Sequence, residues 1–269
     1  LMPNLGAELL VLCLAPIFGI EEAGRIIAVT IPALSVLSLL SVEWALRKRI
    51  GPGSLLALAT VWSPALLMGF LNFALSLALA GFAFAAWILL EDKRWRPAIM
   101  LLVAPLVWLC HLAGWGVLGV LVFGYEWQRA GLARAVLHTW PLWPPALGLL
   151  GGATGDAGLA VYGDGIVLDK ISNWVMGLRD QVKGLDMLTV VGLAAAPLLA
   201  LRAGHIDGRV GRAALLLVLL TFVMPRFLGG GDFADYRLVP VALAFGCLSI
   251  DLPASRLLAL IALVPFLIR

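Results

Sequence analysis

Long apolar runs, separated by short charged clusters, constrain this chain more than any other feature of its sequence. Hydrophobic residues make up 62% of the 269 residues and charged residues only 13%, whereas soluble domains are about half apolar and a quarter charged. A soluble fold of this length leaves roughly a quarter of its chain surface in water, so it has no place for this much apolar surface. A bilayer removes that difficulty. We therefore expect an all-α, polytopic transmembrane helical bundle that forms one integral membrane domain over residues 1–269.

The ends and the cysteines of the chain add little to this expectation. The chain starts at Leu1 and stops at Arg269, straight after an apolar run, as a piece of a longer protein would. The three cysteines all lie inside apolar runs, without the spacing of a disulfide framework or a zinc site. No basic block indicates nucleic acid, so we expect membrane lipid as the partner, and protein partners stay open.

Nine apolar stretches are candidates for membrane helices. They cover 25–46, 54–70, 72–90, 97–123, 132–150, 186–201, 213–228, 237–250 and 256–268. A straight crossing needs about 20 residues, so the first three stretches fit. The last four are short, at 13 to 16 residues, and each must use flanking residues, lie inside the bundle or stop part-way. Short helices are therefore expected in this bundle.

The run 97–123 has the opposite problem, because its 27 residues are long for one straight helix. His111, Gly114 and Gly116 interrupt it near the middle. The pattern predicts two short helices that meet near His111. One tilted helix is the alternative.

The loops on one side of the predicted bundle are basic. With a break at His111, the same-side loops are 43–50, 91–96, 126–134, 202–212 and 251–256. They hold 12 of the 19 basic and 6 of the 16 acidic residues, a net charge of +6, against 7 basic and 10 acidic residues, a net charge of −3, elsewhere. Basic short loops lie in the cytoplasm. We therefore predict that these loops are cytoplasmic and that the protein lies in a bacterial inner (plasma) membrane.

One long segment on the other side, 151–185, has a helical pattern. It opens with a glycine-rich loop at 151–156, and apolar residues then recur at helical spacing from Val167 to Leu185. Lys170 and Asn173 fall on the polar face, while Asp164 is the candidate cap and Gly184 the candidate end. The pattern predicts a surface amphipathic helix, lying either on the outer membrane surface or over the mouth of the bundle.

The stretch 226–237 is the strongest candidate site. It holds Arg226, Asp232, Asp235 and Arg237 beside the glycines at 229–231. A pair of arginines at a membrane boundary suits a phosphate, because guanidinium binds oxyanions with two parallel hydrogen bonds. Asp235 is then a base, or a partner that orients Arg237. The alternative is a solvated loop in which these charges pair with each other.

Three further polar residues are candidates, of which His111 and Asn72 are predicted at the same outer level. His111 at membrane depth is costly unless it is paired, so it holds a proton, a phosphate or a headgroup, or is satisfied by a backbone carbonyl at the helix break. Asn72 either caps the helix at 72–90 or lines the same cavity as His111. Glu8 precedes a short apolar stretch, and near a helix N-terminus it is expected to face water.

These features, taken in order, resemble the bacterial polytopic membrane glycosyltransferases with the GT-C fold. The matching elements are Pro3-Asn4-Leu5-Gly6-Ala7-Glu8, Gly69-Phe70-Leu71-Asn72-Phe73, His111 with Tyr125-Glu126, and Asp235-Tyr236-Arg237. The acidic first non-cytoplasmic loop that is typical of the family would precede Leu1 and is not part of this sequence. The resemblance therefore implies a GT-C-like membrane region without implying an intact active site.

The resemblance implies transfer of a sugar from a polyprenyl-phosphate donor on the non-cytoplasmic side. It implies catalytic roles for Asp235 and Glu8, and substrate-binding roles for His111, Asn72, Arg226, Asp232 and Arg237. We expect His111, Arg226, Asp235 and Arg237 to converge on one cavity. No cofactor and no metal ligands are predicted, although a divalent metal requirement stays open. A transporter or lipid flippase and a non-catalytic membrane subunit are the alternative functions.

Overall fold

The computed structural model describes residues 4–150, 160–228, 231–253 and 255–268, and in these residues the chain is an all-α bundle. The expected fold class is therefore confirmed. Pro3, the glycine-rich segment 151–156, and Gly229 and Gly230 lie outside the described residues.

The helices are named here in chain order. They are α1 Gly6–Phe18, α2 Ile20–Arg47, α3 Pro52–Ala57, α4 Pro64–Leu67, α5 Leu71–Leu89, α6 Arg96–Cys110, α7 Leu112–Ala130, α8 Leu132–His138, α9 Pro144–Leu150, α10 Ile166–Val175, α11 Lys183–Arg202, α12 Gly208–Val223, α13 Leu238–Leu248 and α14 Arg256–Leu267. Strand β1 (Ala160–Val161) pairs antiparallel with β2 (Phe227–Leu228).

Three of the described helices, α2, α5 and α11, are long and apolar enough to cross a membrane. Others, including α6, α13 and α14, are apolar but shorter, as the runs 237–250 and 256–268 predicted for α13 and α14. The run 186–201 uses flanking residues and becomes the longer α11, whereas the run 54–70, which fits a crossing by length, is divided between α3 and α4. Helix α5 packs against α2 and α7, while α12 packs against α7 and α13. Trp87 and Tyr125 are almost fully buried in the resulting core. This packing holds in place the helix ends that carry the polar residues.

The run 97–123 is broken at His111, which closes α6 and opens α7 with an extended backbone (φ −168°, ψ 134°). The predicted pair of helices is therefore confirmed. Gly114 and Gly116 do not make the break, because both lie inside α7. Gly114 instead allows close approach of α7 to α5, since a Cβ there would collide with Ser76.

The basic loops share one end of the bundle. Arg47, at the end of α2, forms ion pairs with Asp207 and Asp251, which belong to the loops 202–212 and 251–256. The shared face that the charge count predicted is confirmed for these loops.

The remaining basic loops join the same face through Tyr125. The guanidinium of Arg209 lies 5.9 Å from the Tyr125 ring, and the Tyr125 hydroxyl donates a 2.7 Å hydrogen bond to Glu91. Arg129 also pairs with Glu91. The loops 91–96 and 126–134 therefore lie at this end too, and its cytoplasmic placement stays a prediction.

The surface helix differs from its prediction. Helix α10 ends at Val175, and α11 begins at Lys183, so Gly184 lies inside α11 and ends nothing. The N-cap of α10 is Gly165, not Asp164, and makes no side-chain cap. A turn separates the two helices. Asp186, in the first turn of α11, accepts a hydrogen bond from the backbone N–H of Asp180 in the segment between the helices. The prediction of one helix over 167–185 is therefore wrong, because this turn divides the segment into α10 and the start of α11.

Candidate functional site

Four helix N-termini meet around a cavity of about 930 Å³ at the end of the bundle opposite the basic loops. Glu8 lies in the first turn of α1, Asn72 in the first turn of α5, His111 is the N-cap of α7, and Arg237 is the N-cap of α13. All four side chains line the cavity. Because each helix N-terminus carries about half a positive charge, this arrangement favours a negatively charged ligand.

Arg237 is the cationic group of the cavity wall, which also carries the carboxylates of Glu8 and Asp232. It is only 9% exposed, and its guanidinium lies 3.6 Å from the Phe70 ring centroid and 5.8 Å from that of Phe73. Among the described residues it forms no ion pair, and its Nε makes no hydrogen bond. Burial lowers the pKa of Arg237, and the charge of Asp232 opposes that shift. A guanidinium stays charged at such a site, so Arg237 is suited to bind an anion.

Asn72 connects α5 to the start of α1. Its Oδ1 accepts a 2.5 Å hydrogen bond from the Ala7 N–H, and its Nδ2 donates to Glu8 Oε2 at 2.7 Å and to the Asn4 carbonyl at 3.0 Å. Asn72 therefore caps α1 rather than its own helix, whose N-cap is Phe70. Of the two interpretations of Asn72, the one that places it in a cavity with His111 is confirmed.

Glu8 does more than face water, because the hydrogen bond from Asn72 holds its carboxylate at the cavity wall. Glu8 itself is exposed, whereas Ala7 beside it packs with Leu75 and Ile27 in a small core under α1. Glu8 is thereby a fixed carboxylate with access to the cavity.

His111 is held in one tautomer by its role as a cap. Its Nδ1 accepts a 3.0 Å hydrogen bond from the Ala113 N–H, so a neutral ring carries its proton on Nε2. The Phe73 ring packs edge-on against it, with centroids 5.6 Å apart. The backbone partner of His111 is thus an N–H, not the expected carbonyl, and Nε2–H is left as a donor on the cavity wall.

Arg226 and Asp232 pair with each other near the cavity. Arg226 Nε donates to Asp232 Oδ1 at 3.0 Å, and this hydrogen bond lowers the pKa of Asp232. Asp232 lines the cavity, but Arg226 does not and is half-exposed. The expected convergence is therefore wrong for Arg226, because its guanidinium is already satisfied by a neighbouring carboxylate.

Asp235 also lies away from the cavity wall. Its carboxylate is 2% exposed and accepts hydrogen bonds from Lys170 at 2.5 Å, from Asn173 at 2.8 Å and from the Tyr236 N–H at 2.8 Å. The expectation that Asp235 meets His111 and orients Arg237 is wrong, because a buried carboxylate needs its own partners and finds them on α10. Asp235 instead ties α10 to the turn that carries Arg237.

Lys170 is the residue that sequence reasoning missed. The helical pattern placed it on the polar face of the surface helix, but in the fold that face turns inward, and Lys170 also donates to the Met224 carbonyl. The exposed face of α10 carries Val167 and Leu168. The signal available in the sequence was a lysine on the helix face opposite a run of apolar residues. When such a helix turns its apolar face to lipid, its lysine faces the protein.

The ionisable side chains on the cavity wall are those of Glu8, His111, Asp232 and Arg237. No group of three or more His, Cys, Asp or Glu side chains in the described part of the chain has the arrangement of a metal site. Comparison of the chain with protein-family models, with curated proteins and with solved structures finds no match.

Proposed function

We propose that this chain is the membrane region of a GT-C-like glycosyltransferase, which takes a sugar from a polyprenyl-phosphate donor at the non-cytoplasmic end of the bundle. The observation that carries the proposal is a buried, unpaired Arg237 at a cavity on which four helix N-termini converge. The family assignment rests on the sequence resemblance, and the cavity supplies an independent physical argument for the phosphate.

The phosphate is the part of the donor that this site suits best. Helix N-termini attract anions through their dipoles, and here the Ala7 and Ala113 N–H groups are already bound by Asn72 and His111. Arg237 adds a fixed positive charge with paired N–H donors, and His111 adds the Nε2–H donor that its cap leaves available. The three contributions belong to the wall of one cavity, and each would stabilise the charge that develops on the phosphate as the sugar leaves.

The apolar part of the wall suits the lipid. It includes Val117 and Val120 of α7, Leu217 and Leu220 of α12, and Met224. A cavity with an apolar wall and a few placed polar groups is typical of a small-molecule site, in which the polar groups fix orientation. An amphiphile with one phosphate matches this division better than a fully polar ligand does.

Glu8 is the candidate general base. In the transfer step the acceptor hydroxyl oxygen bonds to the anomeric carbon, the bond from that carbon to the phosphate oxygen breaks, and Glu8 takes the hydroxyl proton. The leaving phosphate keeps the bonding electrons beside Arg237. Asn72 holds the Glu8 carboxylate in place, and a positioned base of this kind contributes about 10²–10⁴-fold to rate.

The arrangement is less suited to a transporter or flippase. Transporters bind substrate near the bilayer midplane, at interrupted helices, whereas Glu8, Asn72, His111 and Arg237 lie together at helix N-termini at one end. The proposed location is the non-cytoplasmic face of a bacterial inner membrane, since the opposite end carries the basic loops.

The test is donor turnover by the full chain in nanodiscs. A radiolabelled polyprenyl-phosphate sugar is added with a cell-envelope extract as acceptor, and release of polyprenyl phosphate is measured. We expect release that falls about 10²-fold or more in Glu8→Gln, with donor binding retained. The matched control is Glu22→Gln, an exposed carboxylate paired with Arg25, which should turn over normally.

Two outcomes oppose the proposal. Donor binding without release in the wild type would remove the enzymatic function and leave a non-catalytic lipid-phosphate-binding subunit. No donor binding at all would remove the phosphate site as well.

A further inference from the structure

The turn 232–237, which leads into α13 and carries Arg237, is not part of a helix or a strand. Its Phe233 has a φ of 59°, a left-handed conformation that costs free energy for a bulky residue other than glycine. On the cavity side Arg237 faces the rings of Phe70 and Phe73, and a phenyl ring supplies no hydrogen bond that would fix the guanidinium. The position of Arg237 therefore depends on what holds the turn from outside the cavity.

Helix α10 holds the turn through side chains that are not part of the cavity wall. Asp235 accepts hydrogen bonds from Lys170 Nζ at 2.5 Å and from Asn173 Nδ2 at 2.8 Å. The Tyr236 hydroxyl donates at 2.8 Å to the carbonyl of the C-cap residue of α10. The two residues that directly precede Arg237 are thus both bound to α10.

The ion pair between Lys170 and Asp235 is buried, with exposures of 6% and 2%. A buried ion pair is seldom more stabilising than apolar residues of the same volume, because both charges lose their water. Such a pair can instead specify one arrangement of the elements that it joins. Lys170 Nζ also donates at 2.5 Å to the carbonyl of Met224, the C-cap of α12. One ammonium group therefore joins α10, the end of α12 and the turn 232–237.

We propose that Lys170 and Asn173 are positioning residues, which act through Asp235 to set where Arg237 meets the phosphate of the ligand. The proposal rests on the proposed phosphate site and adds the part of the fold on which its affinity depends. Neither Lys170 nor Asn173 lines the cavity, so their effect on binding must pass through the turn. A shift of the turn by about 1 Å would misalign the paired N–H donors of the guanidinium.

A thermodynamic cycle tests this role. The affinity of the full chain in nanodiscs for undecaprenyl phosphate is measured in the wild type, Lys170→Met/Asp235→Leu, Arg237→Gln and the triple variant. The double variant leaves no lone charge buried, so it should keep its fold, which circular dichroism checks. We expect the double variant to bind about tenfold more weakly than the wild type.

The triple variant should bind no more weakly than Arg237→Gln, because the position of the side chain no longer matters once the guanidinium is gone. Residues that act on binding through one shared group give such non-additive effects. A purely structural role would change the unfolding temperature without this dependence on Arg237.

Trp174→Phe is the matched control on the same helix. The Trp174 indole donates to the Thr221 hydroxyl at 3.0 Å, and its ring stacks on Phe222, so these contacts join α10 to α12 and not to the turn. Phenylalanine keeps an aromatic ring for the stacking and loses the hydrogen bond, and this variant should bind like the wild type.

Tyr236→Phe is a milder variant that removes only the hydroxyl bonded to α10. It should weaken binding about threefold, as the loss of one hydrogen bond would. If Lys170→Met/Asp235→Leu does not fold, Tyr236→Phe takes its place in the cycle.

The outcomes separate the positioning role from the phosphate site. Wild-type affinity in the double variant, while Arg237→Gln binds weakly, would overturn the positioning role alone. If the triple variant is weaker than Arg237→Gln by the same factor that separates the double variant from the wild type, the role is also overturned, since the effect does not pass through Arg237. Wild-type affinity in Arg237→Gln would overturn the phosphate site together with the role that rests on it.

Discussion

The guanidinium carbon of Arg237 lies 3.6 Å from the centroid of the Phe70 ring, and among the described residues no carboxylate pairs with it. A cation over an aromatic face gains about 0.5–2 kcal/mol, which offsets part of the cost of its burial but leaves its N–H donors free. Phe70 precedes α5, and Asn72 follows two residues later, so one short stretch holds both the cation and the Glu8 carboxylate.

Asn72→Leu should lower both stability and turnover. It removes the acceptor for the Ala7 N–H and the donor to Glu8, and a buried polar group left unsatisfied costs about 1–3 kcal/mol. Thermal unfolding in detergent and donor turnover measure the two effects. The control is Ser76→Ala, one turn further along α5, whose hydroxyl bonds only the Phe73 carbonyl of its own helix. If Asn72→Leu unfolds and turns over like the wild type, Asn72 does not hold Glu8.

Lys170→Met should destabilise the protein by about 3–5 kcal/mol, because it leaves the buried carboxylate of Asp235 without its cation. The double variant Lys170→Met/Asp235→Leu should recover most of that loss, since no lone charge then stays buried. Unfolding equilibria in mixed detergent give the free energies of unfolding of Lys170→Met, Asp235→Leu and the double variant. If the loss in the double variant equals the sum of the losses in the two single variants, the two residues are not coupled. Arg226→Gln, which breaks an exposed pair, should change little.

Asp207 should make stability fall in acid. Burial alone would raise its pKa, but the hydrogen bonds and charge of Arg209, with the charge of Arg47, hold the pKa below its ordinary value. Because the folded pKa of Asp207 lies below its unfolded pKa of about 3.9, the ionised carboxylate stabilises the folded state above that pH. This stabilisation is lost as the pH falls through the folded pKa. The melting temperatures of wild type and Asp207→Asn should therefore differ above about pH 5 and converge only at a pH below the folded pKa, which itself lies below about 3.9.

Asparagine caps helices as well as aspartate does, so Asp207→Asn keeps the N-cap of α12 and removes the charge together with the Oδ2 acceptor that faces Arg209 and Arg47. The control is Asp92→Asn at an exposed position. A constant difference between wild type and Asp207→Asn across this pH range would show that the charge of Asp207 contributes nothing to stability.

The basic face should be protected from outside reagents. In a background with the three cysteines replaced by alanine, single cysteines at Lys48, Lys93 and His205 should resist a membrane-impermeant maleimide on sealed cells. Glu22→Cys, at the opposite end of α2, should react. The three positions lie in loops of one shared face, so labelling of one loop without the others would contradict the fold as well as its orientation.

The break at His111 and the basic face were predictable because each depends on a local or additive property. A polar residue inside an overlong apolar run marks a break, and loop charges need only be counted. The contacts of Asp235 were not predictable, because an amphipathic pattern does not say which face of α10 meets protein and which meets lipid. The fold decides that Lys170 points inward, and this leaves Arg237, not Asp235, at the cavity.

The pairing of Arg226 with Asp232 was one of two interpretations of the stretch 226–237, and the sequence could not choose between them. Both interpretations need arginines near carboxylates. The choice depends on backbone geometry, which brings Arg226 to Asp232 and takes Arg237 to the aromatic rings of α5.

The most direct measurement is the affinity of the full chain in nanodiscs for undecaprenyl phosphate, in the wild type, Arg237→Lys and Arg237→Gln. We predict that both variants bind at least about tenfold more weakly, a loss of about 1.4 kcal/mol. Lysine keeps the charge but loses the paired N–H donors. Arg226→Lys, in the exposed pair with Asp232, should bind like the wild type. Wild-type affinity in Arg237→Gln would contradict the phosphate site, and with it the proposed function.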